Sequence, residues 1–310
     1  MSNTWDYRFA FHVQTPSDVP LEFRSTDDRL QEIHGAPILS LFTPAVDQSS
    51  FLFSRPVSPR LILLFLKSLA VLSLETHSDE VQTVEWSSLE LLAYGRADFL
   101  LNCWFSLYPG PSGYGPMRLP FPSRATEKFE ELSRLLVDWL DPNGMAPRDS
   151  IVSAVPGVPK KFASFLASHA EFGPMSEFFY QPAMDRRGKD HRRWPNLLMV
   201  AGARGIVVLA DERRGESSEY GLEMTLLPLR RVGPLGWTES DHADLASIRV
   251  CLKGAQNEVV LSWPVYSGLK PYALRWTQTV ESLVAVAKQN QSVCSGRRAP
   301  NVQATTNAMP

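Results

Sequence analysis

The chain reads as a mainly β protein with α content (α+β), built from two duplicated antiparallel units. Each unit is a β-sandwich or partly open barrel closed by a C-terminal helix. Three observations predict this class. Short apolar and aromatic runs bounded by Gly and Pro recur along the chain, which is how antiparallel strands are punctuated. Apolar residues take up helical spacing over long stretches only near the end of each half. The order of these runs also repeats at a nearly constant offset.

The repeat is visible residue by residue. Residues 61–75 lie over residues 197–211 at an offset of 136, and Pro59 meets Pro195. Upstream, Pro37, Leu41 and Phe42 meet Pro174, Phe178 and Phe179 at an offset of 137. Downstream, Leu119-Pro120-Phe121-Pro122 meets Leu261-Ser262-Trp263-Pro264 at an offset of 142, and a long amphipathic segment follows each. A slow drift of the offset is what loop insertions in a duplicated unit produce.

Taken in order, residues 27–34 predict a short helix and 38–42 a strand. Residues 61–66 and 70–74 predict a hairpin, and 81–86, 89–94, 99–108 and 117–121 further strands. Phe129, Leu132, Leu135, Leu136, Trp139 and Leu140 then share one helix face. The second unit repeats the order, from a helix near 162–169 to strands ending at 261–263. Its last helix carries Tyr272, Trp276, Val280, Leu283, Val284 and Ala287 on one face.

Breakers place the boundaries. Asp141-Pro142-Asn143-Gly144 ends the first terminal helix, and Val155-Pro156-Gly157-Val158-Pro159 precedes the next helical run. The expected organisation is an N-terminal extension (1–26), a first domain (27–141), a linker (142–163), a second domain (164–289) and a disordered polar tail (290–310). The most apolar run, residues 61–74, is interrupted by Lys67 and Ser68, whereas a spanning helix needs about 20 uninterrupted residues. The start of the chain lacks the basic flank and apolar core of an export signal. Three cysteines in 310 residues point to a reducing compartment. The expected location is therefore the cytoplasm, with peripheral membrane contact as an alternative.

The pattern Leu-Leu-hydrophobic, a small turn with Arg204, then Ile-Val-Val-Leu in residues 197–209 resembles the opening hairpin of pleckstrin-homology-like domains, most closely their GRAM and bacterial variants. Pro228-Leu229-Arg230-Arg231-Val232 and the helix over 272–288 fit the same template. The resemblance spans roughly residues 27–141 and 164–289, and it implies tandem non-enzymatic modules that bind phosphoinositides, peptides or proteins. Lipid-binding members gather phosphates with several cations on a long first hairpin. Here those turns are short and carry only Lys67 and Arg204, so that headgroup site is not carried over.

Charge supplies an independent pointer. Residues 1–155 hold 12 Lys+Arg against 19 Asp+Glu, a net of −7, and residues 156–310 hold 19 against 14, a net of +5. The second unit is thus the expected anion binder. Its densest cluster comprises Arg186, Arg187, Lys189, Arg192 and Arg193 beside Trp194. Such cations bind carboxylates or phosphates through charge-assisted bonds, and an indole beside them suits a membrane interface. A solvated loop, or one facing the acidic first unit, is the competing reading. Nucleic acid is disfavoured because the chain as a whole has a net charge of −2.

Catalytic chemistry leaves little trace. The six histidines show no i,i+4 pair, no cysteines form C-x-x-C, and no nucleophile-elbow, P-loop or dinucleotide fingerprint is present. Asp241-His242-Ala243-Asp244 reads as a polar turn. The Gly-rich stretch 109–116 reads as a hairpin loop. No metal and no cofactor is expected. Three functional readings follow: an adaptor binding a protein partner or acidic ligand, a peripheral protein binding anionic phospholipid through the basic loop, and an enzyme with a dispersed site.

Overall fold

The computed structural model describes residues 10–50, 53–74, 80–88, 90–98, 102–110, 116–141, 158–169, 175–185, 193–202, 204–213, 220–240, 244–254 and 258–296. The first half contains β1 (Phe11–His12), α1 (Leu21–His34), β2 (Leu39–Thr43), β3 (Val46–Ser50), β4 (Phe53–Val57), β5 (Arg60–Leu64), β6 (Ser68–Leu74) and β7 (Val81–Ser87). It continues with β8 (Leu91–Asp98), β9 (Asn102–Pro109), β10 (Met117–Pro122) and α2 (Thr126–Leu140). The second half contains α3 (Lys160–Ser168), β11 (Met175–Gln181), β12 (Met184–Asp185), β13 (Arg193–Trp194), β14 (Leu197–Gly202), β15 (Gly205–Arg213) and β16 (Tyr220–Pro228). β17 (Val232–Glu239), β18 (Leu245–Lys253), β19 (Glu258–Tyr266) and α4 (Lys270–Gly296) complete it. The architecture is mainly β with helices, and every strand pair is antiparallel.

Residues 61–74 form the expected hairpin: β5 pairs with β6 from Arg60 opposite Ser73 to Leu64 opposite Leu69. Both faces of these strands are buried, since Leu61, Ile62, Leu63, Leu64, Leu69, Ala70, Val71 and Leu72 are all interior. That explains a continuous apolar run in place of simple alternation. One face packs against α1 through Phe23 and Leu30. The other enters the core under α2, with Phe129, Leu132 and Leu136. α1 starts at Leu21, six residues before the expected boundary at 27, because Phe23 and Leu30 carry its buried face through an otherwise polar stretch. It stops at Gly35, whose φ of +82° is a conformation side chains disfavour.

Five strands form one sheet in the order β1-β2-β5-β6-β7, and β17-β18-β19 form another. Between them runs a seven-stranded sheet in the order β10-β9-β8-β16-β15-β14-β11. The two expected domains therefore share a sheet, joined where β8 pairs with β16 from Tyr94 opposite Leu226 to Asp98 opposite Leu222. Gly95 makes this seam close. A Cβ added there would lie 3.0 Å from the Met224 carbonyl oxygen and 3.4 Å from Thr225 Oγ1. The main core spans the seam, combining Tyr94, Phe105, Phe121 and Phe129 with Phe162, Leu198, Leu209 and Met224. A second core lies under α4 through Ala273, Trp276, Val280 and Val284.

Arg96, 3% exposed, locks the seam from the first-half side. Its Nε and Nη2 donate to Asp98 Oδ2 at 2.9 and 2.6 Å, Nη2 also reaches Glu130 Oε1 of α2 at 3.2 Å, and the guanidinium lies 5.9 Å over the Phe165 ring of α3. Burial acts against this charge, and the Asp98 and Glu130 carboxylates more than offset it, so the Arg96 pKa is raised.

Several expectations need correcting. The β3–β4 hairpin falls in residues 46–57, where polar residues and Pro56 hide the strand pattern. Tyr272 is 69% exposed, and Ala273 takes the place expected for it in the core. Helix α4 runs on to Gly296, so residues 290–296 are helical, not part of a tail; after Pro271 in its first turn, no Gly or Pro occurs before Gly296. Residues 297–310 and most of the expected linker lie outside the described residues. Among the described residues no helix is long and apolar enough to cross a membrane.

Replacing Gly95 by Val is expected to force β8 and β16 apart and to cost about 1–3 kcal/mol in urea unfolding. An unchanged midpoint would show that the seam tolerates a side chain there.

Candidate functional site

The cation run in residues 186–193 sits at the end of a short hairpin. β12 and β13 pair Met184 with Trp194 and Asp185 with Arg193. Arg186, Arg187, Lys189 and Arg192 belong to the segment that joins these strands, and they lie outside the described residues. Arg193 is the first residue of β13. Trp194 is buried at 6% exposure and meets Tyr266 edge-on with ring centroids 6.5 Å apart. Its indole is a packing residue with almost no surface to offer, so the interfacial role expected for it is corrected.

A network of polar side chains, one fully buried and the others half-buried, builds the hairpin's root. Gln181, fully buried at the end of β11, donates from Nε2 to the Pro195 carbonyl at 3.2 Å and accepts the Tyr266 N–H at Oε1 at 2.8 Å. One amide thus ties together three chain segments. Asn196 Oδ1 accepts from the Tyr180 hydroxyl at 3.0 Å and from the Ala183 N–H at 2.8 Å. Asn196 Nδ2 donates to Asp211 Oδ2 at 2.5 Å, and Asp211 also pairs with Lys161 of α3. Burial pushes the Tyr180 phenol above its ordinary pKa, and the Asp211 charge adds to the effect. Pro182 and Pro195 flank the hairpin and halt the neighbouring strands, so these side chains take over backbone groups that sheet pairing leaves unmet.

A second group of cations has a different setting. Arg204, in the turn between β14 and β15, is 4% exposed; its Nη2 donates to Asp138 Oδ1 at 2.7 Å and to the Asp141 carbonyl at 3.3 Å. It therefore caps the C-terminal end of α2, where carbonyls and the helix dipole favour a cation. Arg231 Nη2 donates to the Ser88 carbonyl at 2.8 Å. Burial raises the Asp141 pKa while Arg230 and Arg204 oppose that rise; burial lowers Arg230, with Arg231 adding to the fall and Asp141 opposing it. These arginines face the acidic first half and hold the two halves together.

The cations thus divide by position. Arg204, Arg230 and Arg231 are structural ties, and the cation run lies between two short paired strands. A braced stem carrying clustered guanidinium groups suits carboxylate or phosphate recognition by paired, charge-assisted hydrogen bonds. Sequence reasoning found the run but missed Gln181, Asn196, Tyr180 and Asp211. Single polar residues between strands carry no periodic signal, and only the Pro195-Asn196 pair beside a strand hints at a built turn. No protein-family model matches the chain, and no curated protein matches it.

Asn196→Ala would strand the Ala183 N–H and unbrace Asp211. The expected cost is about 1–3 kcal/mol, together with faster tryptic cleavage in residues 186–192. Wild-type cleavage kinetics would show that the network does not brace the hairpin.

Proposed function

We propose that the protein is a non-enzymatic cytoplasmic binding module made of two pleckstrin-homology-like units, and that its basic hairpin recognises an acidic segment of a protein partner. The order of elements supports the duplication. In the first half a strand (β2), a two-stranded arm (β3–β4), three strands (β5–β7), three more (β8–β10) and a helix (α2) follow one another. The second half runs through β11, the arm β12–β13, β14–β16, β17–β19 and α4 in the same sequence. Beyond the arm and β1, each half thus holds seven strands and a closing helix, which supports the expected unit of short antiparallel strands closed by one terminal helix.

One observation carries the functional reading: the densest cation run of the chain joins two strands whose root is braced by half-buried side-chain hydrogen bonds. A braced stem limits the entropy that its loop must lose on binding. Burial of Trp194 favours a protein partner over a membrane, because it removes the aromatic anchor that interfacial binding would use.

The test compares the full chain with a variant carrying Ala at Arg186, Arg187, Arg192 and Arg193. A poly-glutamate peptide is expected to bind the wild type and to weaken at least about tenfold with the variant, while both unfold at the same temperature. Saturable binding to phosphatidylserine vesicles without peptide binding would replace this reading with the anionic-membrane one. Failure of both probes would overturn the role of the hairpin.

A further inference from the structure

Far from the hairpin in sequence, β1, α1 and α2 enclose a groove of two adjoining chambers, about 460 and 350 Å³ in volume. His12 and Glu131 line both chambers; Asp18, Glu127 and Lys128 belong to the first, and Asp27 to the second. Four carboxylates thus stand against one lysine. Asp18 is already satisfied, since its Oδ2 accepts the N–H groups of Gln14 and Thr15 at 3.2 and 2.8 Å. The other acids are not committed to the backbone in this way.

Two buried atoms at the groove have no hydrogen-bond partner among the described residues, and both are acceptors. Asp27 is 2% exposed; its Oδ2 takes the Gln31 amide at 2.8 Å, and its Oδ1 takes nothing. His12 Nδ1 lies 3.4 Å from Glu131 Oε2. That neighbour places the proton of a neutral imidazole on Nδ1 and leaves the lone pair on Nε2, which is the second unpartnered atom. Burial lowers the His12 pKa, with Glu131 opposing and Lys128 assisting, which favours the neutral ring. A buried acceptor left unmet costs free energy that a ligand donor would recover.

Unmet acceptors in an acidic groove call for a ligand that is cationic and purely a donor. A metal ion needs several ligands converging on one point, and the described residues hold no cluster of three or more His, Cys, Asp or Glu with that geometry. The acids are instead spread along two chambers, which suits positive charges spaced along a chain. We propose that this groove binds an aliphatic polyamine, with one ammonium donating to Asp27 Oδ1 and another held between Glu131 and Glu127.

Asp27 also has a stability signature. Its pKa is raised chiefly by burial, with Asp28 adding to the rise and the Gln31 hydrogen bond opposing it. The folded state therefore holds the proton more tightly than the unfolded chain does, and stability falls as pH rises from the ordinary carboxyl range through the folded pKa. Asp27→Asn keeps an acceptor for Gln31 and removes this penalty, so its midpoint of thermal unfolding at pH 7 should equal or exceed that of the wild type.

Isothermal titration of the full chain with spermidine at low ionic strength tests the site, with propylamine and magnesium chloride as comparators. One-to-one spermidine binding is expected, weakened at least about tenfold by Asp27→Asn and by Glu131→Gln, unchanged by Glu281→Gln on α4, and far exceeding binding of either comparator. No saturable binding overturns the proposal. So do equal losses in all three variants or equal binding of magnesium, which would mean attraction to net charge alone. Should Asp27→Asn unfold, Glu131→Gln decides, because its side chain is 45% exposed.

Discussion

The pairing of β8 with β16 is the constraint on which the other features depend, because it turns two sheets into one. Backbone groups of Tyr94 to Asp98 find their partners on Leu222 to Leu226. An edge strand of each half that would otherwise present unpaired N–H and C=O groups to solvent is thereby covered. Closeness at the seam depends on Gly95, where any side chain would meet the backbone of the opposite strand. Once the seam is closed, Phe162 and Leu166 of α3 join Phe129 and Leu136 of α2 in a single core. The halves then rest on shared apolar burial, which favours a fixed arrangement over domains moving on a linker.

Electrostatics follows the same geometry. The second half carries a positive excess and the first a negative one, and part of that difference is neutralised across the junction by Arg204 on Asp138 and by Arg230 beside Asp141. Arg96 closes the opposite side by joining β8, α2 and α3. Such buried guanidinium groups contribute mainly by fixing relative orientation, since desolvation offsets much of their attraction. What remains is a polar separation of charge: cations on the β12–β13 hairpin, and carboxylates in the groove between β1, α1 and α2. The proposed acidic partner and the proposed polyamine are opposite in sign and approach different elements.

Local pattern made much of this legible. The hairpin of residues 61–74, the strands β8 to β10, β14 and β15, the buried face of α2 and, apart from Tyr272, that of α4 all follow from apolar runs, period and breakers. The β3–β4 arm was not legible, because Asp47, Gln48, Ser49 and Ser50 mask strand character in its first strand. Nor was the start of α1, where two apolar side chains in a polar stretch give too weak a periodicity. Trp194 was misread because an indole beside cations looks the same in sequence whether it faces solvent or Tyr266.

Within the sequence alone lay the class of fold, the helical segments that end each half and the location of the densest cation run. Each is encoded by neighbours a few residues apart, whose periodicity and turn chemistry act before any long-range contact forms. Only the tertiary structure decided that the two halves share a sheet, that Arg204 and Arg231 tie the halves together, and that His12, Asp27 and Glu131 line one groove. Those outcomes depend on which strand edge meets which and on what a buried charge finds beside it. Such pairings join residues far apart in sequence, as in Asp98 and Leu222 or Arg204 and Asp138, and no local pattern records them.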